Sequence, residues 1–338
     1  MMQSTQDDSD KPQFIILGNP IGGFIPSAVS NGALLTRKIT SKFADKIFRM
    51  HTSWTFNRII ELPFHFLWNR LVLDDADIPR DERIYFIFQD GFRLAYSRNY
   101  LKYLRKKYRG CRLIFYFRDP VDDAQSGLWE RWHYVKDYYD AGITFNRRDA
   151  EELDLLFTDY WPCILPEKKF EPENQSDVFF VGQAKDRLSK ILSVYEKLKG
   201  ADLKCDFWVS GVPECEQRYS DDIHYMSRST MNFLTYDEVL QHVMNTKCVL
   251  EILPFNQNYS SLRVNESLWY HRKLLTTNLE APSEWFYNPE IVQVFSDAKD
   301  IDTDFISQLS PEDEHRIYDG MNIGDWNIFA DFIIKNVP

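Results

Sequence analysis

Ser176-Asp-Val-Phe-Phe-Val-Gly182-Gln-Ala-Lys185-Asp-Arg187 is the stretch whose reading decides the fold. Within it, Val178-Phe-Phe-Val181 is a short unbroken apolar run, the pattern of a parallel strand buried on both faces. Gly182 is expected to end that strand. Residues 186–199 then read as a helix. Leu188, Ile191, Leu192, Tyr195 and Leu198 fall at i, i+3, i+4, i+7 and i+10, a single apolar stripe, with Gly200 as its stop. A strand, a turn and a helix therefore begin afresh in the middle of the chain.

The same pattern extends in both directions. Downstream, Cys205-Asp-Phe-Trp-Val209, Cys248-Val-Leu-Glu-Ile-Leu253, Lys273-Leu-Leu-Thr276 and Ile291-Val-Gln-Val-Phe295 read as strands. Upstream, Phe14-Ile-Ile-Leu17, Arg83-Ile-Tyr-Phe-Ile-Phe88 and Arg112-Leu-Ile-Phe-Tyr-Phe117 are apolar runs ending in turn-forming clusters, and Gly142-Ile-Thr-Phe145 is a shorter one. Helical stretches lie between them, around Tyr100 and around Asp149. Residues 162–176, rich in Pro, Glu and Lys, read as a linker. Strands alternating with helices imply parallel sheets covered on both sides, hence an α/β chain with two Rossmann-like domains. Two such domains facing each other would leave a ligand cleft at the carboxyl ends of their strands.

The bulk numbers agree with that size and class. At 338 residues, with 44% apolar and 27% charged side chains, the chain suits two ordinary globular domains. The five cysteines are scattered without a C-x-x-C pair, which reads as reduced thiols in a cytoplasmic protein rather than disulfides or zinc ligands. No apolar run approaches the roughly 18–20 residues of a membrane span. Residues 1–12 are expected to be a loose polar tail.

Charge is unevenly distributed. The net charge is −11, yet residues 1–160 hold 23 basic against 22 acidic side chains, and residues 91–118 hold nine Lys or Arg and no carboxylate. Residues 39–70 interleave Lys42, Lys46, Arg49, Arg58 and Arg70 with Phe43, Phe48, Trp54, Phe56, Phe66 and Trp68. Such mixtures suit the surface of an anionic membrane carrying a lipid-linked acceptor, or else core aromatics under a basic outer face. A pI of about 5.2 argues against nucleic acid as a partner.

Two strand-end turns carry chemistry. After Val181, Gly182 would let a ligand approach the backbone, while Lys185, Arg187 and the next helix N-terminus offer positive charge to a diphosphate. After Leu253 comes the polar loop Asn256-Gln-Asn-Tyr-Ser260-Ser261, then a helix in which Arg263 and Glu266 share one face. Two hydroxyls and an arginine at a helix N-terminus favour phosphate, and a carboxylate one turn on can accept from sugar hydroxyls. An exposed ion pair is the plainer alternative. The next strand ends in Thr276-Thr-Asn278, again polar.

These blocks, together with Phe233-Leu-Thr-Tyr-Asp237, Phe117-Arg-Asp-Pro120 and Ile143-Thr-Phe-Asn-Arg-Arg-Asp-Ala150, resemble bacterial GT-B glycosyltransferases of lipopolysaccharide, capsule and exopolysaccharide synthesis. The resemblance is one of pattern over roughly residues 14–295. It implies an acceptor-binding domain over 13–165, a nucleotide-sugar-binding domain over 176–310, and a C-terminal helix within 311–338 expected to cross back to the first. Gly182, Lys185, Arg187, Arg263, Glu266 and Asn278 would hold the donor, with Ser260 and Ser261 near the diphosphate and Tyr236 near the base. The implied donor is a UDP-hexose or UDP-galactofuranose, the implied acceptor a glycan or lipid-linked glycan. Residues 256–259 depart from the group, where a glycine-containing turn is usual.

An inverting transferase needs a general base near the acceptor hydroxyl. Asp90 and Asp119 stand at strand ends of the first half, with Asp122 and His133 just beyond, though each also suits a cap or turn. No cofactor is expected. No metal is expected either, since no D-x-D stands in the setting a metal-dependent transferase would need; Asp302-Thr-Asp304, for one, lies in a late acidic stretch. Rival readings are an epimerase of the same fold and an inactive donor-binding subunit. A nicotinamide oxidoreductase fits less well, because Gly18-Asn-Pro-Ile-Gly22-Gly23 lacks G-x-G-x-x-G spacing.

Overall fold

The computed structural model describes residues 12–18, 24–36, 39–73, 78, 83–121, 127–227, 232–255 and 259–338. The expected N-terminal tail, the loop at 19–23, Asp122 and residues 256–258 lie outside the described residues. The chain divides into two units, Met1–Cys163 with Asp325–Pro338, and Ile164–Gly324.

In the first unit the apolar runs become β1 (Gln13–Leu17), β2 (Leu34–Leu35), β3 (Ile84–Gln89), β4 (Arg112–Tyr116), β5 (Ala141–Thr144) and β6 (Leu156–Phe157). All pair in parallel, in the order β2-β1-β3-β4-β5-β6. Successive residues of a strand face opposite sides, so each buried run feeds two cores. Ile15, Phe86, Phe88, Leu113 and Phe115 pack on one side against Leu101 and Leu104 of the helix Arg98–Lys107. On the other side Phe14 and Tyr85 stack at 5.1 Å, and Tyr116 stacks on Phe24 at 5.3 Å. The helix Trp326–Asn336 closes this second face, with Trp326 edge-on to Phe14 and Phe329 edge-on to Tyr116.

The second unit holds β7 (Ser176–Gln183), β8 (Cys205–Ser210), β9 (Ile223–Met226), β10 (Thr246–Glu251), β11 (Lys273–Thr276) and β12 (Val292–Val294). They too are wholly parallel, ordered β12-β11-β10-β7-β8-β9. The helix Leu188–Gly200 buries Ile191, Leu192, Tyr195 and Leu198 against Phe180, Phe207 and Leu250. His242, on the helix Tyr236–Met244, stacks on Phe179 at 5.2 Å. The α/β class with two Rossmann-like parallel sheets is thus as the sequence implied.

Local details depart from the sequence reading. β2, β6 and β9 are additional edge strands, the first two only two residues long and the third alternating Ile-His-Tyr-Met without an apolar run. Gly182 does not end β7, which runs on to Gln183. The following helix starts at Leu188 rather than 186, because Lys185 adopts a left-handed φ of 46° and breaks the turn. Its C-terminal left-handed residue is Asp202, φ 60°, and Gly200 lies in the last helical turn. Residues 164–176 are held to the second unit rather than tethered. The Glu171 amide donates to Asn245 Oδ1 at 2.8 Å, and the Tyr270 hydroxyl donates to the Pro166 carbonyl at 2.6 Å.

Candidate functional site

The order of the second sheet reverses direction between β7 and β10. Open parallel sheets bind ligands at such a reversal, beyond the carboxyl ends of the strands. A pocket of ≈ 300 Å3 lies there, walled by Lys185 and Arg187 on the β7 side and by Glu251, Ser261 and Arg263 on the β10 side.

Glu251 organises the β10 side and was not singled out from sequence. It is 3% exposed, and its carboxylate accepts from the Ser261 amide at 2.7 Å and from Thr276 Oγ1 at 2.6 Å. Burial raises its pKa, opposed by those two hydrogen bonds and by the Arg263 charge. Ser261 is therefore fixed at the start of the helix Leu262–Trp269, which it caps by accepting from the Arg263 amide at 3.2 Å. The Asn278 side chain donates to Ser260 Oγ at 3.2 Å, which brings Asn278 against the loop that carries Ser260 and Ser261.

Arg263 ion-pairs with Glu266 one turn on. Glu266 is 1% exposed, and burial pushes its pKa up to about 7 against the pull of Arg263 and a hydrogen bond from the Tyr236 side chain. Three residues expected from sequence thus converge: Arg263 on the pocket wall, Glu266 buried behind it, and Tyr236 on the first turn of its own helix. Glu266 is correspondingly a partner that holds Arg263, not an acceptor on the pocket wall.

The β7 side differs from its sequence reading. Arg187 donates through Nε to the Gln183 carbonyl at 3.0 Å and through Nη1 to the Ile252 carbonyl, stitching the end of β7 to that of β10. A Cβ on Gly182 would stand 2.8 Å from Arg187 Nη2, so this glycine makes room for a guanidinium rather than for a ligand. Burial lowers the Arg187 pKa, while the Asp186 and Glu251 charges resist. Lys185 is exposed at the pocket and has no acidic partner among the described residues.

In the first unit, Asp90 follows β3 and is 5% exposed. Arg118 Nε donates to its Oδ1 at 2.6 Å, and the Arg118 and Asp119 amides donate to Oδ2 at 3.0 and 3.3 Å. The oxygens a base would use are engaged in holding the turn after β4. Asp119 is exposed beside them. His133 Nδ1 lies 2.8 Å from the Trp129 carbonyl, and its ring stacks on Trp129 at 3.9 Å.

No protein-family model matches this chain, and no curated protein matches it. Several solved structures are similar in fold. A glycotransferase of kitacinnamycin shares 12% identity over 97% of this chain and 99% of its own, with a TM-score of 0.45. An α-glucosyltransferase in complex with UDP and a 13-mer DNA shares 13% over 80% of each chain, TM-score 0.42. An α,α-trehalose 6-phosphate synthase from Burkholderia multivorans shares 8% over 97% of this chain and 93% of its own, TM-score 0.43.

Proposed function

We propose that this chain is a glycosyltransferase of GT-B type, taking a sugar from a nucleoside diphosphate donor to a glycan or lipid-linked acceptor in surface polysaccharide synthesis. The observation that carries the reading is the pocket at the β7–β10 reversal, where a Ser261-capped helix N-terminus and Arg263 stand together on a parallel sheet. A helix N-terminus with an arginine in its first turn is built for a diphosphate. Tyr236 offers a ring for the base, and UDP-hexose or UDP-galactofuranose is the donor proposed. As the glycosidic bond breaks, negative charge grows on the departing diphosphate. Lys185, Arg263 and the helix amides would stabilise it there, a route that needs no metal ion or other cofactor.

The same proposal places the protein on the cytoplasmic side, at the inner face of an anionic membrane. On the helix Lys42–His51, Phe43, Ile47 and Met50 are 74%, 36% and 62% exposed and lie on one face. Phe56, Ile59, Ile60, Phe64 and Leu67 are exposed too, and Lys42, Lys46, Arg58 and Arg70 interleave with these residues along the chain. An apolar surface of this extent marks an interaction site, and the interleaved basic residues suit anionic lipid. All five cysteines are free, which fits a reducing compartment. Among the described residues no helix is long and apolar enough to cross a membrane.

Thermal unfolding in the presence of UDP, GDP, CMP and NAD tests the donor site. At a hundredfold excess over Kd a specific nucleotide adds about 2.7 kcal/mol. The expected result is a shift with UDP that Arg263→Ala abolishes. No shift with any nucleotide, or a shift with NAD alone, would overturn the reading. Release of UDP from a UDP-hexose, with and without acceptor, separates a transferase from an inactive donor-binding subunit.

A further inference from the structure

The first unit contains a second pocket, of ≈ 180 Å3, at the carboxyl end of β3. Its walls come from the segment that carries the exposed apolar surface, through Thr52, Trp54, Asn57 and His65, and from the turn after β3, through Arg93 and Ser97, with Arg131 entering from the helix Leu128–Val135.

Nearly every polar group in these walls already has a partner. Thr52 Oγ1 donates to the Phe48 carbonyl at 2.6 Å. Asn57 Nδ2 donates to the His51 and Ser53 carbonyls at 2.8 and 2.9 Å, and its Oδ1 accepts from the Leu62 amide at 2.7 Å. His65 is held between Ser97 Oγ and the His51 carbonyl, and burial lowers its pKa to about 4, so it contributes no charge at neutral pH. Asp90 also lines the pocket, its carboxylate ion-paired with Arg118, and nearby Glu61 accepts from Ser97 Oγ and the Asn99 amide at 3.0 and 2.8 Å.

The two arginines are different. Neither Arg93 nor Arg131 has an acidic partner among the described residues. Arg131 lies beside the edge-on pair of Trp54 and Tyr96 rings, 5.9 and 5.4 Å from their centroids, and hydrogen-bonds the Tyr96 side chain. Its Nε is buried with no hydrogen-bond partner among the described residues. A half-buried guanidinium beside two aromatic rings, with one buried donor unmet among the described residues, favours a counter-charge. The planar fork of a guanidinium recognises oxyanions in two-pronged fashion.

We propose that this pocket binds a phosphate group, clamped between Arg93 and Arg131. Two cations without acidic partners among the described residues on one pocket match the double charge of a phosphate monoester, and the volume admits that group with room for part of the molecule that carries it. As a statement about the acceptor this rests on the transferase reading and makes the acceptor phosphorylated. As a statement about binding it stands alone. The adjoining exposed surface at Phe56, Ile59 and Ile60 makes a lipid phosphate one source of the group, and a soluble phosphate is the other.

The test is isothermal titration of the full chain with inorganic phosphate in the presence of saturating UDP, which occupies the diphosphate site of the second unit. Saturable binding is expected, weakened at least tenfold in Arg131→Gln and several-fold in Arg93→Gln. Arg93 is exposed, so Arg93→Gln folds as the parent does and keeps the test decisive should Arg131→Gln unfold. Absence of saturable binding, or unchanged affinity in Arg93→Gln, would overturn the proposal. Competition by phosphatidylcholine vesicles containing phosphatidic acid identifies the lipid headgroup as the source. Phosphate binding that those vesicles leave untouched identifies the soluble group, and either result sustains the pocket. A UDP shift without phosphate binding sinks the pocket alone. Phosphate binding that depends on Arg93, with no UDP shift, sinks the donor site alone.

Discussion

The carboxylate of Glu251 and the amide of Ser261, 2.7 Å apart, join the end of β10 to the start of the helix Leu262–Trp269. The other carboxylate oxygen takes the Thr276 hydroxyl and ties in β11. One buried acid thus sets the height of the helix N-terminus at the pocket.

Glu251→Leu removes both acceptors and leaves two donors unmet. It should cost about 2–4 kcal/mol in urea unfolding, and the remaining folded protein should lose its UDP-induced thermal shift. Glu251→Gln keeps one carbonyl acceptor and should lose about half as much. A wild-type UDP shift in Glu251→Leu would show that the helix start is positioned by something else.

Glu266 makes stability depend on pH. Its folded pKa, about 7, is above the ordinary glutamate value, so the folded state retains a proton that the unfolded state gives up. The group therefore favours folding below the ordinary glutamate range, and that contribution is lost as pH rises from about 4.5 to 7. The full change is on the order of 3 kcal/mol. Glu266→Gln should flatten this part of the profile, measured as unfolding free energy from pH 5 to 8, while leaving the part that belongs to Glu251.

Gly182→Ala pushes a Cβ against the pinned Arg187 guanidinium. A loss of about 1–3 kcal/mol is expected. In an Arg187→Met background the same substitution should cost far less, since the obstructing group is gone. Equal costs in the two backgrounds, compared as a double-mutant cycle, would put the strain elsewhere.

Phe43→Asp and Ile59→Asp alter side chains that are 74% and 76% exposed. Each should change stability by less than about 0.5 kcal/mol. Each should also reduce co-sedimentation with phosphatidylglycerol vesicles severalfold. Binding to neutral phosphatidylcholine should be weak from the start and fall little. Equal retention of the variants on both vesicle types would argue against a lipid-docking face.

What was legible in the sequence follows from how strongly each signal is written. Apolar runs such as Phe14–Leu17 and Cys248–Leu250 announce strands buried on both faces, and the stripe from Leu188 to Leu198 announces a helix. Both are averages over many residues and survive errors at the ends. Arg263, Glu266, Ser260, Ser261 and Asn278 were named because polar residues clustered at strand ends, and Tyr236 from the resemblance alone; the structure links Arg263, Glu266 and Tyr236, and Ser260 with Asn278. Glu251 escaped because it sits inside an apolar run, where its charge reads as an interruption. Arg187 looked available because sequence shows a charge without its partners, here the carbonyls of Gln183 and Ile252. Asp90 looked like a base for the same reason, with Arg118 far off in sequence. Arg93 and Arg131 meet at one pocket only through the fold, and no spacing records it.

The helix Trp326–Asn336 belongs to the first unit although it follows the second in sequence, and the Tyr85 hydroxyl donates to the Val337 carbonyl at 3.0 Å. On the ribosome, β1, β3 and β4 emerge long before the segment that covers Phe14, Tyr85 and Tyr116. An aromatic sheet face, covered in part by Phe24 and Trp161, must then wait for the rest of its cover through the synthesis of an entire second unit. Such a nascent chain is a natural client for a holdase, and its first half cannot mature domain by domain as translation proceeds.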